Sequence, residues 1–265
     1  MRTKIKNRLF LLVVFVIMYL PIFYLIYFSF SSGDNMAQFG HFSLEHYGNL
    51  LADHRLIGIM INTILIALIS ATLATVIGTL GALYLNGLTR KWLKSLLLTF
   101  NNILMVSPDV IIGASFLILF SAFKVSLGFW SVLFSHVAFS IPIVVLMVLP
   151  KLKELKHSYI DAAYDLGASA PQVLSQVILP FISSGIFAGF FMALTYSLDD
   201  FAVTFFVTGN GFETLSVEIY ARARRGISLE INALTGLIFI VITLSILFYY
   251  FVMQRKSKKG RERQK

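Results

Sequence analysis

Long apolar stretches alternate with short polar segments along the whole chain. Each apolar stretch has about 20 residues or more, the length at which a helix crosses a hydrocarbon core of roughly 30 Å. The pattern therefore predicts an all-α membrane protein that forms a single transmembrane domain over residues 1–265. Its six predicted transmembrane helices cover residues 9–30, 59–85, 96–123, 129–149, 184–207 and 231–253.

The third apolar stretch is too long for one straight crossing. Residues 96–123 would extend about 42 Å at the helical rise of roughly 1.5 Å per residue. Inside this stretch, Ser107-Pro108-Asp109 combines a capping serine, a proline at the first helical position and an acidic residue in the first turn. We therefore predict a break or kink there, with a short lead-in helix before it and the true span after it.

The basic residues predict the orientation of the chain. Only 13% of the residues are charged, against about 25% in a soluble domain. Of the 22 lysines and arginines, 17 lie in the N-terminal segment, two alternate connections and the C-terminal tail, and five lie in the other connections. By the positive-inside rule, both termini and the loop of residues 150–183 are predicted to be cytoplasmic. The basic tail is interpreted as a topogenic anchor that also contacts anionic lipid.

Composition excludes several kinds of site. The chain has no cysteine, which excludes disulfides, thiol catalysis and cysteine-ligated metals. The net charge of +9 does not indicate a nucleic-acid partner, because the basic residues flank apolar stretches. The first stretch is longer than the apolar core of a signal peptide, so we interpret it as a retained span. The five histidines lack metal-ligand spacing and are expected to be solvated or interfacial, with no bound metal: His41, His46, His54, His136 and His157.

The loop of residues 150–183 is the most structured polar segment of the chain. Ala162, Ala163 and Leu166 share one face of a short predicted helix, and Gly167 is its expected stop. Ser169 begins a second short helix, which is expected to run through residue 178 and end before Pro180. Two interpretations stay open from these patterns alone: a compact cytoplasmic knob that a partner approaches closely, or an amphipathic loop on the bilayer surface.

The same loop resembles the cytoplasmic loop of binding-protein-dependent ABC importer permeases. That family carries Glu-Ala-Ala, three residues, Gly, nine residues and Ile-x-Leu-Pro. This chain matches every spacing, with conservative departures at the first acid and at the valine. The resemblance implies that the loop seats in a groove of a cytoplasmic ATPase through Asp161, Ala162, Ala163, Gly167, Val177, Leu179 and Pro180.

Four segments, one of them in this loop, narrow the resemblance to the permease subunits of spermidine/putrescine importers. They read SPDVIIGASFLILF, LGFWSVLFSHVAFSIPIVV, DAAYDLGAS and YSLDDFAVTFFVTG. The resemblance implies a type I ABC importer permease fold in a bacterial cell membrane. It also implies a complex with a second permease, two ATPase subunits and an extracytoplasmic polyamine-binding protein.

Nucleotide binding is assigned to the partner subunits. The chain has no Walker-type Gly-x-x-x-x-Gly-Lys-Ser/Thr segment, so we predict no catalytic residue and no cofactor of its own. An importer for another small solute, such as a metal ion, thiamine or sulfate, stays open as an alternative. A stand-alone secondary transporter is disfavoured, because it has no ATPase against which the loop could seat.

Three aspartates are the candidates for the substrate path. Asp199 and Asp200 lie deep in the fifth apolar stretch, where an uncompensated carboxylate is costly and usually faces a cavity or a partner. Ammonium groups of a polyamine would pair with such carboxylates. The alternative is a structural pair, one residue capping a broken helix and the other in a salt bridge. Asp109 has the weaker case, because helix-start chemistry alone explains it.

The connection between the last two stretches contains a second group of charges. Glu218 and Arg222 are four residues apart and are interpreted as a pair on an exposed helix. Arg222, Arg224 and Arg225 depart from the positive-inside trend, so a docking role toward the binding protein is an alternative.

Overall fold

The computed structural model describes residues 2–33, 36–225, 229–241, 243, 244 and 247. Regular structure in these ranges is helical, apart from one isolated bridge between Ser31 and Phe42. The helices are α1 (Arg2–Phe28), α2 (Glu45–Ala52), α3 (His54–Gly87), α4 (Lys91–Val106), α5 (Asp109–Ala122), α6 (Phe129–Glu154), α7 (His157–Asp165), α8 (Ala170–Val173), a π-helical turn (Leu174–Ile178), α9 (Leu179–Asp199), α10 (Ala202–Val207), α11 (Leu215–Arg225) and α12 (Leu229–Val241).

Within the described residues, four helical segments are long and apolar enough to cross a membrane: residues Phe10–Phe28 of α1, α3, α6 and Ala170–Asp199. The pair α4 and α5 forms a fifth if it is counted as one broken span. The predicted sixth span, 231–253, is described only in part, as α12 and three later residues, and the rest of it lies outside the described residues. The all-helical class is confirmed, whereas the count of six spans and the single domain stay predictions.

The predicted break in the third stretch is confirmed at the expected residues. Helix α4 ends at Val106, α5 begins at Asp109, and the two helices meet at 108°. Two details of the prediction are wrong. The lead-in helix is not short, since α4 has 16 residues and α5 has 14. Ser107 does not cap α5, because its Oγ donates backward to the carbonyl oxygen of Ile103, 2.7 Å away.

Residues 170–199 form one continuous helical segment, where the sequence predicts an end before Pro180. A proline inside a helix lacks the N–H that bonds four residues back. The turn before Pro180 is widened into a π turn, in which the N–H of Leu179 donates to the carbonyl of Leu174, five residues earlier. The predicted helix end is therefore wrong, because the π turn accommodates the proline.

Clustering of contacts divides the chain into two compact units, residues 58–218 and residues 1–57 with 219–265. Within the first unit, α6 is the central helix and packs along α9. Small residues on α9 allow this close approach, since a Cβ at Gly189 would lie 3.2 Å from the Cα of Val144. The resulting core combines residues of α3, α6 and α9: Ala71, Ala74, Ala82, Leu85, Val144, Val145, Val148, Leu149, Leu152, Ile182 and Ala193.

Replacing Gly185 by alanine is expected to destabilise the protein. The added methyl group would lie 2.9 Å from the backbone oxygen of Met147 and 3.0 Å from Cγ of Lys151. Overpacking of this kind typically costs about 1–3 kcal/mol. Gly81→Ala is the matched control, because its methyl group would make an ordinary 3.7 Å contact with Val145. Thermal unfolding in detergent should show a lowered midpoint for Gly185→Ala alone, and equal midpoints would contradict this packing.

The second unit is built on α1, α2 and α12. Ser29 Oγ and Tyr47 Oη are 2.8 Å apart, which ties the end of α1 to α2. The rings of Phe23 and Phe239 meet edge-on with centroids 6.1 Å apart, which packs α1 against α12. Gly236 of α12 leaves room for Tyr47, whose Oη would lie 3.1 Å from an added Cβ.

Candidate transport site and coupling segment

The fifth predicted span is broken beside its two aspartates. Helix α9 ends at Asp199 and α10 begins at Ala202, so the continuous helix predicted over residues 184–207 is wrong. The Asp200 carboxylate stabilises the new start, because it accepts the N–H groups of Val203 at 3.3 Å and Thr204 at 2.8 Å. The carbonyl of Asp200 is also held, since Ser216 Oγ donates to it at 2.8 Å.

All three aspartates predicted for the substrate path lie around one cavity. The cavity has a volume of about 470 Å³, within the range of roughly 300–1,000 Å³ that is usual for small-molecule sites. Its wall joins the end of α9 to the start of α5, and a smaller neighbouring cavity shares Asp109, Tyr196 and Asp200 with it. The larger cavity is lined by Asp109, Met192, Thr195, Tyr196, Asp199, Asp200, Phe201 and Ala202.

The three carboxylates differ in their exposure. Asp109 and Asp199 are exposed, whereas the Asp200 side chain is only 7% exposed and accepts a hydrogen bond from the first turn of α10. Thr204 Oγ1 also donates to Asp200 Oδ2, at 2.7 Å. Asp200 therefore has the contacts of a helix cap, and the pair available to a ligand in the cavity is Asp109 with Asp199. Their role in transport stays a prediction.

The expectation that His136 is solvated or interfacial is wrong. The residue is fully buried inside α6. Its Nδ1 lies 2.6 Å from Ser197 Oγ on α9, and its Nε2 lies 2.8 Å from Thr204 Oγ1 on α10. The signal was present in the sequence, because a polar ring in the middle of a predicted span has to find partners in neighbouring helices.

The predicted stop of the first loop helix is confirmed at Gly167. Helix α7 ends at Asp165, and Gly167 has a φ of +84°, a left-handed conformation that favours glycine. The N–H of Gly167 donates to Tyr164 O at 2.9 Å, and the N–H of Ala168 donates to Ala163 O at 3.0 Å. These two bonds close the end of the helix.

The second loop helix begins as predicted. Ser169 precedes α8, and the Gln172 side-chain oxygen accepts its backbone N–H at 2.8 Å. Together, α7 and the start of α8 form a compact turn of two helices, which is called the coupling segment after its predicted contact with an ATPase. Two residues of its predicted shared face are accessible, since Leu166 is 88% exposed and Ala162 is exposed. Of the other predicted coupling residues, Asp161, Gly167 and Pro180 are exposed, and Ala163, Val177 and Leu179 are partly buried.

The charged group between the last two predicted spans differs from its prediction. Glu218 is buried and the Arg222 side chain is only 16% exposed, so the expected exposure of this pair is wrong. Arg222 reaches across the second unit, where its guanidinium lies 2.9 Å from Asp53 Oδ2 and 3.0 Å from Glu230 Oε2. The Arg224 guanidinium lies 5.7 Å from the centre of the Tyr220 ring. The predicted docking role of these arginines stays a prediction, and the Arg225 side chain lies outside the described residues.

The ion pair between Asp53 and Arg222 is present over the physiological pH range. The backbone N–H of Leu56 and the Arg222 guanidinium lower the pKa of Asp53 below its ordinary value. Because the pKa of Asp53 is lowered in the folded state, the pairing stabilises the fold at pH values above the ordinary pKa of aspartate. This stabilisation is lost only as the pH falls through the lowered pKa.

Comparison with known proteins identifies the class. Residues 74–259 match the family model described as "Binding-protein-dependent transport system inner membrane component", and the chain belongs to this family. The proteins of this family are permease components of ABC transporters and not enzymes, and this chain is a multi-pass membrane protein.

The chain is also similar to named permeases and to a solved structure. It is 34% identical over 251 residues to the spermidine/putrescine transport system permease protein PotC of Escherichia coli (strain K12), covering 94% of each chain. It is 32% identical over 256 residues to the putrescine transport system permease protein PotI of the same organism, covering 94% of this chain and 91% of PotI. A chain of a bacterial ABC transporter that imports the acidic polysaccharide alginate has the same fold, with a TM-score of 0.69, 16% identity and 95% coverage of both chains.

Proposed function

We propose that this chain is a permease subunit of an ATP-driven importer for polyamines of the spermidine and putrescine class. In this proposal it forms the translocation path with a second permease and is driven by two cytoplasmic ATPase subunits. An extracytoplasmic binding protein delivers the cargo. The likeness to PotC and PotI supports this cargo, because both proteins are named for polyamine transport.

The observation that best supports a polyamine as the cargo is the pair of exposed carboxylates in one cavity. Asp109 and Asp199 provide two negative charges, which suit a cargo with two or more ammonium groups. The rings of Tyr196 and Phe201 line the same cavity and are attractive to organic cations. The carboxyl end of α9 also lies at the cavity, and a helix end of this polarity favours positive charge.

The coupling segment has a direct mechanical connection to this cavity. The helical segment Ala170–Asp199 begins beside Gly167 and ends with Asp199 in the cavity wall. A displacement of the coupling segment by the ATPase would therefore be transmitted along one helical segment to the cargo. The π turn of residues Leu174–Ile178 is the irregular point in it, and such turns are frequent at functional sites.

A competition assay tests the cargo. Uptake of labelled putrescine by cells that carry the whole complex is measured with an excess of unlabelled solute. Putrescine and spermidine are expected to suppress uptake, while thiamine, sulfate and divalent metal ions leave it unchanged. Absence of saturable putrescine uptake by the complex, together with uptake of one of the other three solutes in labelled form, would favour the alternative importer.

The orientation is part of the proposal, with six spans and both termini in the cytoplasm. The chain has no cysteine, so labelling of a single introduced cysteine has no background from native thiols of this chain. Ser257→Cys in the C-terminal tail is expected to resist a membrane-impermeant thiol reagent in intact cells. Ser126→Cys, in an exposed predicted outer connection, is the positive control and should react. Labelling at position 257 would overturn the orientation and the coupling assignment with it.

A further inference from the structure

A chain of five polar side chains crosses the apolar core of residues 58–218. His136 contacts Ser197 and Thr204, as described above. Ser197 Oγ in turn lies 3.0 Å from Ser70 Oγ on α3, and Thr204 Oγ1 lies 2.7 Å from Asp200 Oδ2. Ser70, His136 and Thr204 are fully buried, and Ser197 is nearly so. The chain therefore joins four helices and ends at the break between α9 and α10.

The protons of this chain can be assigned from the donor capacity of each group. Thr204 has one hydroxyl proton, and the Asp200 carboxylate beside it is an acceptor only. With that proton donated to Asp200, the Thr204 oxygen accepts from Nε2–H of His136. With Nε2 carrying the only ring proton, Nδ1 accepts from Ser197, and Ser197 accepts from Ser70, whose hydroxyl also lies 3.3 Å from the carbonyl oxygen of Ala67. In this arrangement each hydroxyl and the ring donate toward Asp200.

His136 is also linked to the cavity wall by ring contacts. The centroid of its ring lies 5.0 Å from that of the Phe139 ring. The Phe139 centroid in turn lies 6.2 Å from that of the Tyr196 ring. Tyr196 lines the cavity beside Asp199, and Asp199 directly precedes Asp200 in the chain. A change at His136 would therefore reach the cavity through the helix break and through Tyr196.

We propose that His136 is a positioning residue for transport. It holds Thr204 and Asp200, so that the break after α9 has one conformation and the Asp199 carboxylate is presented to the cavity. His136 itself does not touch cargo in this account. The inference rests on the proposed function, because it takes Asp199 as a contact of the cationic cargo.

A double-mutant cycle with kinetics of labelled putrescine uptake tests this role. His136→Phe keeps an aromatic ring but removes both hydrogen bonds, and it is expected to raise KM about tenfold to a hundredfold at an unchanged amount of complex. His136→Gln keeps a donor near Thr204 and should restore most of the affinity. In an Asp199→Asn background, His136→Phe should add no more than about a twofold change, because its effect is exerted through Asp199.

Independent effects of the two substitutions would overturn the positioning role while leaving Asp199 in the path. If Asp199→Asn alone leaves uptake unchanged, the proposed path itself fails, and the inference fails with it. If His136→Phe prevents assembly, Thr204→Val takes its place in the same cycle, since it removes the hydroxyl that bridges His136 and Asp200 and leaves only their direct 3.5 Å contact between Nε2 and Oδ2. Loss of complex in both variants, with unchanged KM in what remains, would make His136 a core residue only.

Discussion

Replacing Gly167 by leucine is expected to abolish transport while the protein stays in the membrane. Gly167 adopts a left-handed conformation at the end of α7 and is exposed. A side chain with a Cβ costs about 1–2 kcal/mol in this conformation, and leucine adds bulk to a surface that we expect to lie in a groove of the ATPase. The readouts are uptake of labelled polyamine and co-purification of the ATPase, and both should fall to background.

Three further variants separate backbone strain from loss of the contact surface. Gly167→Asn should retain part of the activity, because asparagine tolerates the left-handed conformation. Ala163→Asp adds a charge to the same surface without changing a glycine, and it should also uncouple the ATPase. Gly87→Leu is the matched control, since Gly87 is an exposed helical glycine with open space around its added Cβ. Normal uptake and normal ATPase association in both Gly167→Leu and Ala163→Asp would mean that the segment is a surface loop without a coupling role.

The second large effect is expected at Asp199. Asp199→Asn keeps the shape of the side chain and removes one negative charge from the cavity wall. In a partly desolvated path, a contact between a carboxylate and an ammonium group contributes about 1–3 kcal/mol. Uptake of labelled polyamine should therefore fall roughly tenfold to a hundredfold at an unchanged amount of complex.

Asp200→Asn gives the contrasting pattern. Both oxygens of the Asp200 carboxylate accept hydrogen bonds, from Val203 and from Thr204, and an amide can supply only one oxygen. This substitution should lower the amount of assembled complex and, because it also loosens the break that presents Asp199, raise KM in the complex that remains. Full uptake by both single variants and by the double variant, at normal abundance, would remove Asp199 from the path and contradict the capping role of Asp200.

Local signals in the sequence predicted several features correctly. The proline at position 108 marks the break between α4 and α5, because it lacks an N–H and restricts the residue before it. Gly167 marks the end of α7 for a similarly local reason, namely its left-handed conformation. Carboxylates inside an apolar stretch are costly, which singled out Asp199 and Asp200; both line the cavity, and their role in transport stays a prediction.

Features that depend on partners far away in the sequence could not be predicted. Residues 198–202 contain neither glycine nor proline, so the sequence offered a broken helix there only as an alternative; the break is stabilised by the local contact of Asp200 with Thr204 and by its contact with Ser216, 16 residues away. The partners of His136 lie 61 and 68 residues away, so no local pattern reveals them. The π turn before Pro180 could not be predicted either, because a proline marks a missing hydrogen bond without specifying how the helix accommodates it.

Uptake of labelled spermidine and putrescine, with and without this chain, tests the central claim most directly. Cells that lack the chain but retain the second permease, the ATPase and the binding protein are compared with the same cells carrying it again. The account predicts ATP-dependent uptake of polyamine only when the chain is present, and none when the Gly167→Leu variant replaces it. Equal uptake in the presence and absence of the chain would contradict its assignment as a subunit of a polyamine importer.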